Sequence, residues 1–198
     1  MNFLAHLHVA PDEPGWQVGG VLADLVKGPD VAKLPPAIRA GVVLHRQVDA
    51  FTDSHPAVVR AISRIGPEWG WFSGIIVDIY FDHILARSWP RYSDEPLRAF
   101  ADRMYAALGT GLPHLDGEAR TFLSGLIQSD RLVAYATRDG ITETLARTAK
   151  RVAARLPTRA LPLADAVPQL VRLDAELAAD FHEFYPRLVA YARDKSAT

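Results

Sequence analysis

The chain has 198 residues, of which 49% are hydrophobic and 23% are charged, and its formal net charge is −1. This composition is typical of one globular domain, or at most two; it excludes a disordered or fibrous protein and gives no strong field that would select nucleic acid or a membrane surface as partner. The sequence has no cysteine, which excludes disulfides and thiol nucleophiles and leaves His, Asp, Glu and water to hold any metal.

The N-terminal segment is apolar but lacks the features of a targeting sequence. It has no cationic start, and His6 and His8 interrupt the apolar run. The most apolar stretch, residues 69–85, contains two aspartates and a histidine, so no segment resembles the roughly 18 uncharged apolar residues of a membrane span. We therefore expect a cytoplasmic protein that neither crosses nor binds a membrane.

Apolar residues recur mostly at spacings of three and four, which predicts helices and an all-α fold in a single compact domain over residues 1–198. Proline and glycine residues fall between the periodic segments and set their ends. The predicted helices cover residues 2–9, 15–27, 36–53, 68–88, 95–108, 116–126, 140–155 and 164–193. A further short helix is predicted to start at residues 54–56.

Two aspartates lie inside the predicted helix 68–88, which is hydrophobic on nearly all sides and should therefore be buried. Asp78 and Asp82 are four residues apart and so lie on one face. Like charges at this spacing repel each other, and burying an unpaired carboxylate costs several kcal/mol. A cation, a proton or a metal ion must compensate for them.

Further polar residues recur at helical spacing within the first 83 residues, and together these clusters indicate a shared polar pocket. Carboxylate oxygens mixed with imidazole suit Mn, Mg, Fe or Zn and favour hydrolysis of phosphate esters by a metal-activated water. The alternatives without a functional role are that Asp24 and Lys27 form a solvated pair on a helix face and that His6 is a hydrogen-bonded residue of the core. The clusters are His45 with Asp49 and Asp53, Asp24 with Lys27, and Asn2 with His6.

The same segments, in the same order from the first residue almost to the last, resemble the acyl carrier protein phosphodiesterase family. The resemblance implies a divergent relative of the HD-type phosphohydrolases, which are helical and hold a divalent metal. One departure is Gly20, where the family pattern has Asn. The matching segments are Met1 to His8, Gly19 to Gly28, His45 to Asp49 with Thr52–Asp53, Asp78 to His83, and Phe184 to Arg187.

The family's reaction cleaves the phosphodiester between 4'-phosphopantetheine and a serine of holo acyl carrier protein, with Mn as the expected metal and Mg as a substitute. This resemblance implies a role for each polar cluster. The expected metal ligands are His6, Asp24, His45, Asp82 and His83; the expected catalytic residues are Asp24, Lys27, Arg46, Asp49 and Asp78; and Asn2, Lys27 and Arg46 are expected to bind substrate. The HD-type His-Asp pair occurs here only in reverse, as Asp82–His83, so ligands cannot be transferred from that motif by position.

The implied partner, holo acyl carrier protein, is typically acidic and so calls for a basic surface. Arg39, Arg46 and Lys27 lie nearer the predicted pocket, and a basic stripe over residues 147–159 is a second candidate surface unless it is simply a solvated helix face. Two alternative functions stay open: a phosphohydrolase of a small nucleotide-like metabolite, and a non-catalytic helical binding module. The stripe comprises Arg147, Lys150, Arg151, Arg155 and Arg159.

Overall fold

The structure is a computed structural model that describes residues 1–26, 28–155 and 161–197, with the side chain of residue 155 outside the description. Over these ranges the regular structure is helical and includes no strand, which confirms the predicted all-α class. None of the described helices is both long enough and apolar enough to span a bilayer.

Most helix bounds lie within a few residues of the predicted ones. Short 3-10 turns precede or follow several helices, at Pro67–Trp69, Trp89–Arg91, Leu112–His114 and Leu163–Ala166. The α-helices are α1 (Phe3–Val9), α2 (Pro14–Leu22), α3 (Asp30–Lys33), α4 (Pro36–Ser54), α5 (Pro56–Ile65), α6 (Phe72–Arg87), α7 (Leu97–Gly109), α8 (Gly117–Gln128), α9 (Arg131–Ala134), α10 (Arg138–Arg155), α11 (Val167–Arg172) and α12 (Asp174–Ser196).

Two predicted helices were too long. α2 ends at Leu22 rather than at residue 27, because the amides of Leu25 and Val26 both donate to the Leu22 carbonyl and close the helix in a turn. The predicted helix 164–193 is interrupted at Leu173, which separates α11 from α12. The break places Asp174 at the start of α12, where its carboxylate pairs with Arg87 at 2.7 Å.

Helices α2 and α4 cross at very short range because glycines lie at the contact. A Cβ atom at Gly19 would lie 2.0 Å from the Ile38 carbonyl oxygen, and one at Gly41 would lie 2.2 Å from the Trp16 carbonyl oxygen. No side chain fits at such distances, so both positions require glycine. The close crossing brings the end of α2 against the middle of α4, where His45 lies.

The central helix α6 anchors the N-terminal helix α1 through a buried carboxylate. Asp82, which is fully buried, accepts hydrogen bonds from the backbone N–H groups of Leu4 at 2.7 Å and Ala5 at 3.2 Å. The first N–H groups of a helix lack partners within the helix, and a carboxylate satisfies them well. This contact fixes the position of His6, the next residue along α1.

The C-terminal helix α12 packs the predicted Phe184–Arg187 segment against the core. Phe184 and Tyr185 are fully buried, and Pro186 lies inside the helix. The Tyr185 hydroxyl lies 2.7 Å from Nδ1 of His8. His8 therefore faces α12, away from the side of α1 that carries His6.

Candidate metal centre

Two buried imidazoles stack against each other where α1 meets α4. The ring centroids of His6 and His45 are 3.8 Å apart, with an angle of 15° between the ring planes. Only 4% of His6 and 5% of His45 is exposed. The stacking directs both Nε2 atoms toward the same carboxylate.

That carboxylate belongs to Asp49, one turn after His45 on α4. One Asp49 oxygen lies 3.1 Å from Nε2 of His6, and the other lies 3.0 Å from Nε2 of His45. These contacts are short but poorly directed: both Nε2 atoms and Asp49 Oδ1 are buried and make no hydrogen bond of good geometry among the described residues, while the carboxylate still acts on both rings through its charge. One donor atom from each of the three side chains lies within 4.8 Å of the others. Buried polar atoms are nearly always satisfied, so this group is suited to a cation.

The carbonyl of Gly20 determines which nitrogen of His45 faces the centre. It lies 2.7 Å from Nδ1 of His45, and because a carbonyl oxygen only accepts, Nδ1 must carry the proton. The neutral ring then has its lone pair on Nε2, directed at Asp49. A backbone carbonyl that orients a histidine in this way is typical of metal sites.

Electrostatics at the centre keep one imidazole neutral and the other charged in the absence of metal. Burial and the neighbouring His45 lower the pKa of His6 to about 4. Burial opposes protonation of His45 as well, but the Asp24 and Asp49 carboxylates outweigh it and raise its pKa to about 9. The same two histidines hold the pKa of Asp49 well below its usual range, against the effect of its burial.

Two further carboxylates surround these donors. Oδ1 of Asp24 lies 3.6 Å from Nε2 of His45, and its side chain is 72% exposed. Oδ1 of Asp78 lies 3.0 Å from the α-amino nitrogen of Met1, which is also 3.6 Å from Oδ1 of Asp49. Burial disfavours the charge on this amine, but the Asp78 and Asp49 carboxylates raise its pKa to about 10. The compensating cation for Asp78 is thus the α-amino group.

Asp82 and His83, which were predicted as ligands, lie apart from the three donors. Both oxygens of Asp82 accept backbone hydrogen bonds from α1; burial raises its pKa to about 7, although those bonds oppose the shift. Nδ1 of His83 lies 2.7 Å from the Tyr135 carbonyl. His83 also lines a separate small cavity with Arg87 and Asp174, so it belongs to a different part of the fold.

The structure describes two of the three predicted substrate-binding residues, and Asn2 lines a cavity together with Asp24 and Asp78. Asn2 caps α1, with its side-chain oxygen accepting from the Phe3 amide at 2.9 Å. Arg46 is exposed and donates to the Val26 carbonyl at 3.2 Å. Lys27 lies outside the described residues. The substrate-binding roles of Asn2, Arg46 and Lys27 stay predictions.

Sequence patterns missed two groups at the centre, and both belong to the main chain. They are the α-amino group of Met1 and the carbonyl of Gly20. Side-chain periodicity carries no signal for either of them. Asp49, predicted to orient the ligands, is itself one of the three donors that lie together.

Comparison with known proteins gives matches over nearly the whole chain. A family model described as acyl carrier protein phosphodiesterase matches residues 1–188. A protein of that name from Serratia proteamaculans (strain 568) is 34% identical over 198 residues, which cover 98% of this chain and 99% of that protein. Relatives with the same name from Salmonella agona (strain SL483) and Escherichia coli O157:H7 are also 34% identical and cover 99% of this chain and 100% of their own length. No solved structure gives a significant match, so the HD-like character of the fold stays a prediction.

Proposed function

Because the chain belongs to the acyl carrier protein phosphodiesterase family, we propose that it hydrolyses the phosphodiester joining 4'-phosphopantetheine to a serine of holo acyl carrier protein. The products are apo carrier protein and 4'-phosphopantetheine. The observation that carries this proposal is the family match over residues 1–188. The donor group at His6, His45 and Asp49 supports it, because hydrolysis of a phosphodiester is chemistry that a divalent metal site promotes.

The proposal includes a divalent ion held by His6, His45 and Asp49. The three donor atoms are buried, lack hydrogen-bond partners and lie within 4.8 Å of one another, so the residues fit such an ion. Two imidazoles favour Mn over Mg, since Mg prefers oxygen ligands alone. The ion would polarise a phosphoryl oxygen and lower the pKa of a bound water.

Side chains around these donors have distinct tasks in the proposal. Asp24 is largely exposed, and its contact with His45, which outweighs the effect of burial, lowers its pKa. It is therefore ionised at neutral pH and is placed to accept a proton from the attacking water. Asp78 and the α-amino group of Met1 hold each other at 3.0 Å, and this pair positions the N-terminus beside Asp49. Arg46 and Lys27 are the candidates for binding phosphate oxygens.

The test is an intact-mass assay of holo carrier protein. The enzyme is first dialysed against EDTA and then assayed with MnCl2, with MgCl2 and without metal. We expect conversion to apo carrier protein with Mn, slower conversion with Mg, and none without metal. Holo carrier protein that stays intact, while the Serratia relative converts it under the same conditions, would contradict the proposal. Turnover of small phosphodiesters or nucleotides alone would favour the small-metabolite alternative.

A further inference from the structure

Arginines gather around a cavity of about 190 Å³ beside the candidate metal centre. Arg131 comes from the start of α9, and Arg147 and Arg151 come from α10. The rings of Phe3 and Phe122, whose centroids are 5.5 Å apart, form one wall. The guanidinium carbon of Arg131 lies 5.9 Å from each ring centroid, and that of Arg151 lies 5.6 Å from the centroid of Phe122. The cluster includes two members of the predicted basic stripe.

Among the described residues, a carboxylate pairs with one of these three arginines and not with the other two. Arg131 and Arg151 form no ion pair with any described residue, and Nε of Arg131 is buried without a hydrogen-bond partner. Within the described part of the chain, the one ion-pair partner of Arg147 is Glu143, one turn away on the surface of α10. By contrast, Arg98 and Arg103 each bind two carboxylates. Guanidinium groups held close together repel one another, so an anion between them would be stabilised.

The backbone before Arg131 holds its side chain toward the cavity. Asp130 has a φ of 47°, in the left-handed region that non-glycine residues rarely adopt. Its carboxylate is fixed by Arg98, at 2.6 and 2.8 Å. The next amide, at Leu132, donates to the Tyr105 hydroxyl at 2.7 Å. Strained backbone of this kind persists only where surrounding contacts hold it.

The arginine cavity adjoins a second cavity that reaches Asp24 and Asp78, the two carboxylates next to the three donors. Phe3, Thr148 and Arg151 line both cavities, and the second is also lined by Met1, Asn2, Asp24 and Asp78. An anion held by Arg131 and Arg151 would therefore lie at the border of the cavity that Asp24 and Asp78 line.

We propose that Arg131 and Arg151, with Arg147 at the rim, form an oxyanion subsite that binds a phosphate or carboxylate group of the substrate. The substrate role rests on the proposed function, whereas the existence of the subsite does not. Two sources supply this chemistry: a phosphoryl group of the phosphodiester and its product, or an acidic side chain of the carrier protein near the modified serine.

The subsite itself is tested without catalysis, on the EDTA-treated full chain. Thermal unfolding is followed with sodium phosphate and with sodium chloride at matched ionic strength. We expect phosphate to raise the Tm of the wild type and not that of the Arg131→Gln/Arg151→Gln variant, because a ligand stabilises only the state that binds it. The matched control is Arg172→Gln, an exposed arginine on α11 that should keep the phosphate effect. If the double variant does not fold, Arg151→Gln alone replaces it. An equal phosphate effect in wild type and variant would overturn the subsite.

The source of the anion is tested by comparing the KM of the Arg131→Gln/Arg151→Gln variant with that of the wild type. Both proteins are assayed with Mn on two substrates, holo carrier protein and bis(p-nitrophenyl) phosphate. A rise of about tenfold for the carrier protein alone, the size expected for a lost charge-assisted contact, would assign the subsite to an acidic side chain of the carrier. A rise for both substrates would assign it to the phosphoryl group. Unchanged KM for both would overturn the substrate role. If the wild type leaves the carrier protein intact, the proposed function fails, while the phosphate measurement still decides the subsite.

Discussion

Two polar clusters in this molecule are built from similar residue types but are satisfied in opposite ways. Between α5 and α12, the buried Asp180 carboxylate accepts from Arg60 at 3.0 Å and from Arg64 at 2.9 Å. Between α1 and α4, the donors of His6, His45 and Asp49 converge without hydrogen-bond partners among the described residues. The first cluster pairs its charges within the protein, whereas the second leaves buried donor and acceptor atoms without well-directed hydrogen bonds, and we propose a cation there for that reason. Polar groups that a fold buries without satisfying them are therefore the place to look for a ligand.

The largest effect we predict comes from removing a donor of the unsatisfied cluster. Asp49→Asn should lower the turnover of holo carrier protein by more than about 100-fold, since even residues that only support metal ligands cost 10- to 100-fold when lost. Its free energy of unfolding without metal should fall modestly, because the Asp49 charge stabilises the protonated His45 and the α-amino group of Met1, so activity is compared per folded molecule. Turnover is measured by the intact-mass assay, and the free energy of unfolding is measured by urea unfolding in EDTA. A variant that unfolds but retains activity per folded molecule would contradict the comparison.

The next largest effect should come from the satisfied cluster around Asp180, where we expect a loss of stability and no loss of turnover. Asp180→Asn removes the charge that two arginines share, and we expect a loss of about 2 kcal/mol of unfolding free energy, reduced from the value for fully buried pairs because both arginines are partly exposed. Turnover by the folded protein should not change. Urea unfolding and the mass assay give both values, and a selective loss of activity would show that this cluster is functional.

A smaller, mixed effect is expected at Asp82, which supports the centre without belonging to it. Asp82→Asn keeps the volume but leaves one of the two α1 amides without a good acceptor. The cost should be about 1–2 kcal/mol of unfolding free energy, with a moderate fall in activity because His6 loses its fixed position. Metal binding should persist, and its complete loss in a folded Asp82→Asn protein would instead make Asp82 a ligand.

The smallest effect should come from replacing Gly20 with the Asn that the family resemblance leads us to expect there. A Cβ atom there meets nothing within 4 Å, and the contribution of Gly20 to the centre is its carbonyl. Gly20→Asn should therefore change stability by less than about 0.5 kcal/mol and leave activity intact. The neighbouring Gly19→Asn is the matched control, because its Cβ would lie 2.0 Å from the Ile38 carbonyl oxygen, and it should destabilise the fold by about 3 kcal/mol. Similar stability of the two variants would contradict the α2–α4 crossing.

The helical class and the meeting of His6, Asp24, His45 and Asp49 could be predicted from sequence, because apolar periodicity marks buried faces and polar residues on such faces need partners. The separation of Asp82 from the centre could not be predicted from sequence. The spacing of Asp78 and Asp82 shows that they share a helix face, but it does not show which groups pack against that face. Asp78 meets the α-amino group, whereas Asp82 meets the amides of Leu4 and Ala5. Main-chain partners of this kind are decided by tertiary packing.

Direct measurement of metal binding tests the contrast between the two clusters most closely. Metal-free protein is titrated with MnCl2, and free Mn is followed by electron paramagnetic resonance. We predict that the wild type and Asp180→Asn bind Mn, and that the His6→Ala/His45→Ala/Asp49→Ala variant does not. Equal binding by all three proteins, or none by the wild type, would contradict the assignment of the metal to His6, His45 and Asp49.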